Sequence, residues 1–123
     1  FEMLRRQCEQ ESAALGTLRY APELARGLVM ARIGAPPSLA ELASRTRLTV
    51  RQLRFALTRE GTSYQRLVRE CRVAYFRELA RNPAMSVAEI GDRLGYSDAA
   101  HFSAAFKRWT GQSPSDFRKT ASG

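Results

Sequence analysis

The sequence predicts an all-α fold of about seven helices: two helix-turn-helix units joined by one long linker helix. Three observations carry this. A phrase is repeated: Ser38-Leu-Ala-Glu41-Leu-Ala, Leu48-Thr49, Leu53, Leu57 and Gly61-Thr-Ser63 return as Ser86-Val-Ala-Glu89-Ile-Gly, Tyr96-Ser97, Phe102, Phe106 and Gly111-Gln-Ser113. The offset is 48 residues at Ser38/Ser86 and Thr49/Ser97, 49 at Leu53/Phe102 and 50 at Gly61/Gly111. Apolar residues recur at helical spacing along the chain, and no stretch alternates as a strand would.

The elements follow in order. Phe1, Leu4, Cys8 and Leu15 suggest an amphipathic helix, expected within residues 1–17 as the tail of a preceding domain or as a linker, with Gly16 and Thr17 as a junction. The sequence opens at Phe1 rather than Met, so a fragment of a longer protein is expected. Pro22 to Ile33 read as a helix packing on the first unit and stopped by Gly34-Ala-Pro-Pro. Ser38 with Glu41, and Ser86 with Glu89, have the spacing of capping boxes, in which the hydroxyl takes an orphan first-turn amide. The short helices behind them are apolar at Leu39, Leu42 and Ala43, and at Val87, Ile90 and Leu94. Thr49 and Ser97 are expected to cap the second helix of each unit. Those helices turn Val50, Leu53 and Leu57 inward in one unit and Phe102, Phe106 and Trp109 in the other. Gly61 and Gly111 stand where a left-handed residue ends a helix. Ser63 and Ser113 restart helices, and Pro114 suits a first helical position. Between the units, Tyr64, Leu67, Val68, Cys71, Tyr75 and Leu79 mark a linker helix that Asn82-Pro83 terminates. About 17 helical residues span roughly 25 Å, a scale suited to setting two helices about one DNA turn apart. The expected division is 18–62 for the first unit, 63–82 for the linker helix and 83–120 for the second unit.

Composition narrows the function classes. The net charge is +8, from 20 basic and 12 acidic residues, and only two of the basic ones are Lys. Arginine suits phosphate and guanine, which its planar fork meets with two parallel bonds. Residues 38–80 carry +5, against −1 for 1–17, +2 for 18–37 and +2 for 81–123. The first unit and its linker are thus the stronger electrostatic anchor, although bare charge also suits RNA or an anionic membrane. Cys8 and Cys71 have no second Cys or His at ligand spacing, so no metal and no cofactor is expected. Cys71 falls on an apolar helix face and reads as packing. Two thiols form no disulfide framework, which suits a cytoplasmic location. No apolar run reaches the length of a membrane span.

The stretch Gly95-Tyr-Ser-Asp-Ala-Ala-His-Phe102, with Phe106-Lys-Arg-Trp, Gly111-Gln-Ser-Pro114 and Phe117-Arg118, resembles the C-terminal signature of the AraC/XylS family of bacterial transcription regulators. The likeness covers roughly 21–119. Thr49-Val-Arg-Gln-Leu-Arg through Glu60-Gly-Thr-Ser63 is similar to the branch whose first recognition unit is one residue shorter. Three positions depart from the pattern: Phe55 and Ala104 where Arg is common, and Gly91 where Ala is common. The resemblance implies sequence-specific binding of double-stranded DNA by two recognition helices in successive major grooves. It also implies RNA polymerase subunits as partners, and an effector bound by a domain N-terminal to this region.

In the first recognition helix the outward residues are Arg51, Gln52, Arg54, Phe55 and Thr58. Arg51 and Arg54 suit the O6 and N7 of guanine, and Gln52 suits adenine. Phe55 suits a thymine methyl or a fold back onto a neighbouring helix. In the second helix the outward residues are Ala99, Ala100, Ser103 and Ala104, almost bare of hydrogen-bonding groups. Phosphate contacts are expected from Arg47, Thr49, Arg59, Ser97, His101, Lys107, Arg108 and Arg118; such contacts position a protein without reading sequence. The rival class is a protein-interaction module with its basic face on an acidic partner, which would show no sequence-dependent affinity for duplex DNA. No catalytic residue is expected: His101 lacks a triad partner, and Cys71, although it has Arg72 beside it, lies on the apolar stripe.

Overall fold

The computed structural model describes residues 18–122. The helix expected around Phe1, Leu4, Cys8 and Leu15 lies outside the described residues. Among those described there are seven helices and no strand.

The first, α1, covers 18–31 and buries Ala21, Ala25 and Val29, which recur every four residues. It is already helical before Pro22 and stops two residues short of Ile33, where the amides of Arg32 and Ala35 close successive turns. Helix α2 (Leu39–Arg45) starts at Ser38, whose hydroxyl accepts the Glu41 N–H, and buries Leu42 and Ala43. Thr46, at its end, is buried because its hydroxyl donates back to the carbonyl of Leu42 at 2.8 Å. Helix α3 (Val50–Arg59) buries Leu53, Ala56 and Leu57. It ends where Gly61 takes φ 75°, and Thr62 N–H reaches back to the Leu57 carbonyl at 3.0 Å. Glycine occupies such a left-handed stop without a β-carbon penalty.

Helix α4 (Tyr64–Ala80) runs unbroken for 17 residues. Ser63 caps it, taking the Arg66 N–H at 3.2 Å. Its buried residues are Leu67, Cys71, Phe76 and Ala80. Helix α5 (Val87–Arg93) is capped by Ser86 and buries Ile90; helix α6 (Ala99–Thr110) buries Phe102, Ala105 and Phe106 and ends at Gly111, φ 80°. Helix α7 (Pro114–Ser122) begins at its proline, behind Ser113.

The described residues gather into two compact units, 18–28 with 37–67, and 29–36 with 68–122. This division follows packing and cuts α4 after its first turn, whereas the division 18–62, 63–82 and 83–120 follows the repeat. The core of the first unit is aliphatic, with Leu42, Leu53, Leu57 and Leu67 fully buried. The second is aromatic. Phe76 lies 4.6 Å from Phe106 and 6.0 Å from both Phe102 and Phe117, ring centre to ring centre, and Phe106 meets Phe117 edge-on at 5.1 Å. Such tilted pairs contribute about 0.5–1.5 kcal/mol each beyond the area they bury.

Gly91 makes room for this cluster. A β-carbon there would stand 2.8 Å from Cδ2 and 3.0 Å from Cγ of the buried Phe102 ring. Gly91→Ala should therefore destabilise the second unit by about 1–3 kcal/mol, as overpacking does. The loss outweighs the roughly 1 kcal/mol that alanine gains in helix propensity. Urea unfolding of the two chains measures it, and an unchanged midpoint would show that Phe102 does not fill the notch.

Candidate nucleic-acid interface

Both helix-turn-helix units bend by the same hydrogen-bonded device. After α2, the amides of Arg47 and Leu48 donate to the carbonyls of Ser44 and Ala43; after α5, those of Gly95 and Tyr96 donate to Asp92 and Gly91. The bend residue is left-handed in each, Arg47 at φ 59° and Gly95 at φ 91°. A residue with a β-carbon adopts that conformation at a cost of about 1–2 kcal/mol. Glycine is the expected occupant, and Arg47 is the exception.

The caps of the two second helices differ. Thr49 forms a full capping box with Gln52: Gln52 N–H donates to the threonine hydroxyl at 3.1 Å, and Thr49 N–H donates to Gln52 Oε1 at 2.9 Å. On α6 the cap is Asp98 and not Ser97, which corrects the expectation from the repeat. Asp98 Oδ1 accepts the amides of Ala100 at 2.7 Å and His101 at 3.3 Å. A carboxylate serves two amides and also meets the positive end of the helix, where a hydroxyl offers less. Ser97 is left exposed in the turn as its extra residue. The offset between units is therefore already 49 at the caps, and Arg51, Gln52, Arg54 and Phe55 correspond to Ala100, His101, Ser103 and Ala104.

Electrostatics at this cap are local. The amides of Ala100 and His101 hold the Asp98 carboxyl below the usual aspartate range, with a smaller contribution from the His101 ring. Its capping contribution is present above the ordinary aspartate value and is lost as pH falls through the lowered one. His101 Nδ1 stands 3.7 Å from Asp98 Oδ2, both side chains largely exposed.

On α3, Arg51, Gln52, Arg54, Phe55 and Thr58 are all exposed, and Phe55 keeps 61% of its surface open. Phe55 is thus outside the first unit's buried core, and it borders a surface groove with Leu18 and Arg19 of α1. Among the described residues, the side chains of Arg47, Arg51 and Arg54 make no internal hydrogen bond or ion pair. Gln52 is less free, since its carbonyl oxygen holds the Thr49 amide and only its NH₂ is unengaged. Arg59 is exposed at the end of the helix. On α6, Ala99, Ala100, His101, Ala104, Lys107 and Arg108 are exposed and Ser103 is half-buried.

Arg118 differs from the other cations. Its Nε donates to the Ala80 carbonyl at 3.1 Å and its Nη2 to the Asn82 carbonyl at 2.7 Å. The guanidinium closes the C-terminal end of α4, where carbonyls lack helical partners. No group of three His, Cys, Asp or Glu among the described residues is arranged to hold a metal ion. None of the described helices is long and apolar enough to cross a membrane.

The residues 42–120 match the family model described as a helix-turn-helix domain. The chain is 33% identical over 118 residues to an HTH-type transcriptional regulator of Mycobacterium tuberculosis, covering 96% of this chain and 34% of that one. It is 32% identical to the ornithine utilization regulator of Pseudomonas aeruginosa, again over 96% of this chain and 35% of the other. It thus spans about a third of the length of these curated relatives. Among solved structures it resembles a transcriptional regulator with an AraC-type DNA-binding domain from Chromobacterium violaceum, at TM-score 0.72 and 25% identity, covering 82% of this chain and 91% of that one.

Proposed function

The chain belongs to the AraC-type helix-turn-helix family of bacterial transcription regulators, and from that premise we propose that it reads duplex DNA mainly through α3. Sequence-specific DNA binding is the family's activity; the division of labour between the units is the reading advanced here. The observation that carries it is the contrast between two equivalent faces. Arg51, Gln52, Arg54 and Phe55 on α3 stand where α6 has Ala100, His101, Ser103 and Ala104. In the proposed complex both helices lie in successive major grooves, within the functional division 18–62, 63–82 and 83–120.

Arg51 and Arg54 meet guanine edges in this reading, and Phe55 packs on a thymine methyl. Gln52 offers its NH₂ to a base while its oxygen keeps the cap. Arg47, Thr49, Arg59, Ser97, His101, Lys107 and Arg108 hold phosphates. Support for Arg47 comes from its place at the bend between α2 and α3, where its side chain is exposed and unpaired. Arg118 is left out of the phosphate set because it closes α4. On α6, Ala99, Ala100 and Ala104 supply methyl contacts and shape only. RNA polymerase subunits, an effector held elsewhere in the full-length protein and a cytoplasmic location complete the reading.

Alanine substitution tests it. Arg51→Ala or Arg54→Ala should cost about 1–3 kcal/mol on the preferred duplex and relax preference at one or two base pairs. Arg59→Ala should weaken all duplexes alike. Gel shifts on matched and substituted duplexes separate the two outcomes. Unchanged affinity in both arginine variants would mean that α3 is not the reading helix.

A further inference from the structure

Arg72, on α4, lies outside the faces assigned to DNA. Its guanidinium carbon sits 5.6 Å from the centre of the Tyr96 ring and 5.8 Å from that of Trp109. Its Nη1 makes a long contact, 3.5 Å, to the Tyr96 hydroxyl, and its Nε is buried with no hydrogen-bond partner. A cation gains from lying against aromatic faces, more so when water is excluded. Here that gain is taken while a buried N–H is left unsatisfied, which ordinarily carries a penalty. The two rings, with one long bond to the Tyr96 hydroxyl, therefore fix the guanidinium.

The two rings belong to opposite ends of one helix. Tyr96 is in the turn that enters α6, two residues before the Asp98 cap, and Trp109 is in its last turn. Tyr96 also touches Phe102 at 5.4 Å and Trp109 at 6.1 Å, ring centre to ring centre. We infer that Arg72 is a positioning residue for DNA recognition: one guanidinium, packed against both Tyr96 and Trp109, ties both ends of α6 to α4 and so aims Lys107 and Arg108 at the duplex backbone. The planar fork is what the site uses. A lysine ammonium carries the same charge but is a compact, strongly hydrated point charge that lacks the delocalised plane with which arginine packs on aromatic rings. This inference rests on the proposed docking of α6, and its test keeps the two apart.

Arg72→Lys and Arg72→Met are compared with the parent chain, at a temperature where circular dichroism shows all three folded. Trp109 is the only tryptophan, so its fluorescence reports the clamp without DNA. Acrylamide quenching should rise about twofold in both variants as the indole loses its lid. Affinity for a duplex carrying the preferred site should fall about tenfold in both, and the salt slope should shrink by about 2 as the Lys107 and Arg108 contacts loosen. Preference at the base pairs read by Arg51 and Arg54 should persist. If Arg72→Lys restores affinity and slope in full, only charge matters and the clamp is overturned. Unchanged quenching in both variants overturns it as well, as does increased quenching with parental affinity and slope. Failure of the underlying reading looks different: Lys107→Ala and Arg108→Ala in the parent chain would leave affinity and slope untouched.

Discussion

Gly95→Ala should strongly destabilise the second unit while leaving the first unit's residues chemically unaltered. Gly95 stands at φ 91°, a conformation that side chains rarely adopt. An added β-carbon would also collide with the carbonyl oxygen of Gly34 and stand 3.2 Å from its carbon. Gly34 is equally pressed, since a β-carbon on it would stand 2.8 Å from the carbonyl oxygen of Arg93. Backbone meets backbone here, so neither side can yield by changing a rotamer. Strain of about 1–3 kcal/mol for the dihedral adds to the clash, and about 3 kcal/mol or more in total is expected. For a unit of this size that corresponds to a drop of more than about 10 °C in melting midpoint. A melt within a degree or two of the parent would mean that residues 32–36 are not seated on this turn.

Affinity for DNA should fall steeply with salt. If both units dock, about six to ten phosphates are neutralised, and the log–log slope of affinity against salt should lie between about −5 and −9. Between 50 and 200 mM salt that amounts to roughly a thousandfold loss or more. The cations expected to contribute lie on both units: Arg47 and Arg59 on the first, Lys107 and Arg108 on the second, all exposed. A slope near −2 would restrict the contact to a minor part of this surface. It would also favour the rival reading, a basic face directed at an acidic protein.

Much of the architecture was legible because its signals are local. Ser38, Thr49 and Ser86 lie within three residues of the amides they take. The left-handed conformations of Gly61 and Gly111 follow from the need to end a helix. Ser97 is an ambiguous cap for an equally local reason. Serine and aspartate are both strong caps, they are adjacent, and the repeat's change of offset can be placed on either side of them. What breaks the tie is the offset of 49 at Leu53/Phe102, which extends back to a cap at Asp98.

The illegible features depend on distant partners. Phe76 follows Tyr75, which continues the apolar stripe of α4, yet Phe76 is the residue fully buried among Phe102, Phe106 and Phe117. The Arg118 bonds to Ala80 and Asn82 cross 38 and 36 residues. Nothing in an exposed-looking Phe-Arg-Lys run distinguishes a phosphate contact from a carbonyl clamp. Gln52 shows a third limit: one side chain suits both a base and its own helix cap, and only geometry reveals that the cap holds its oxygen.

Selection of bound duplexes from a random pool, with the parent chain and with Arg51→Ala, tests the division of labour most directly. The account predicts one sharply defined half-site containing G·C positions that blur in the Arg51→Ala selection. It predicts a second half-site that is degenerate or T-rich, chosen by methyl contacts and flexibility rather than direct readout. Two sharply defined half-sites, with strong G·C positions in the half that Arg51→Ala leaves unchanged, would contradict it, because Ala99, Ala100 and Ala104 of α6 offer no hydrogen-bonding groups to read them.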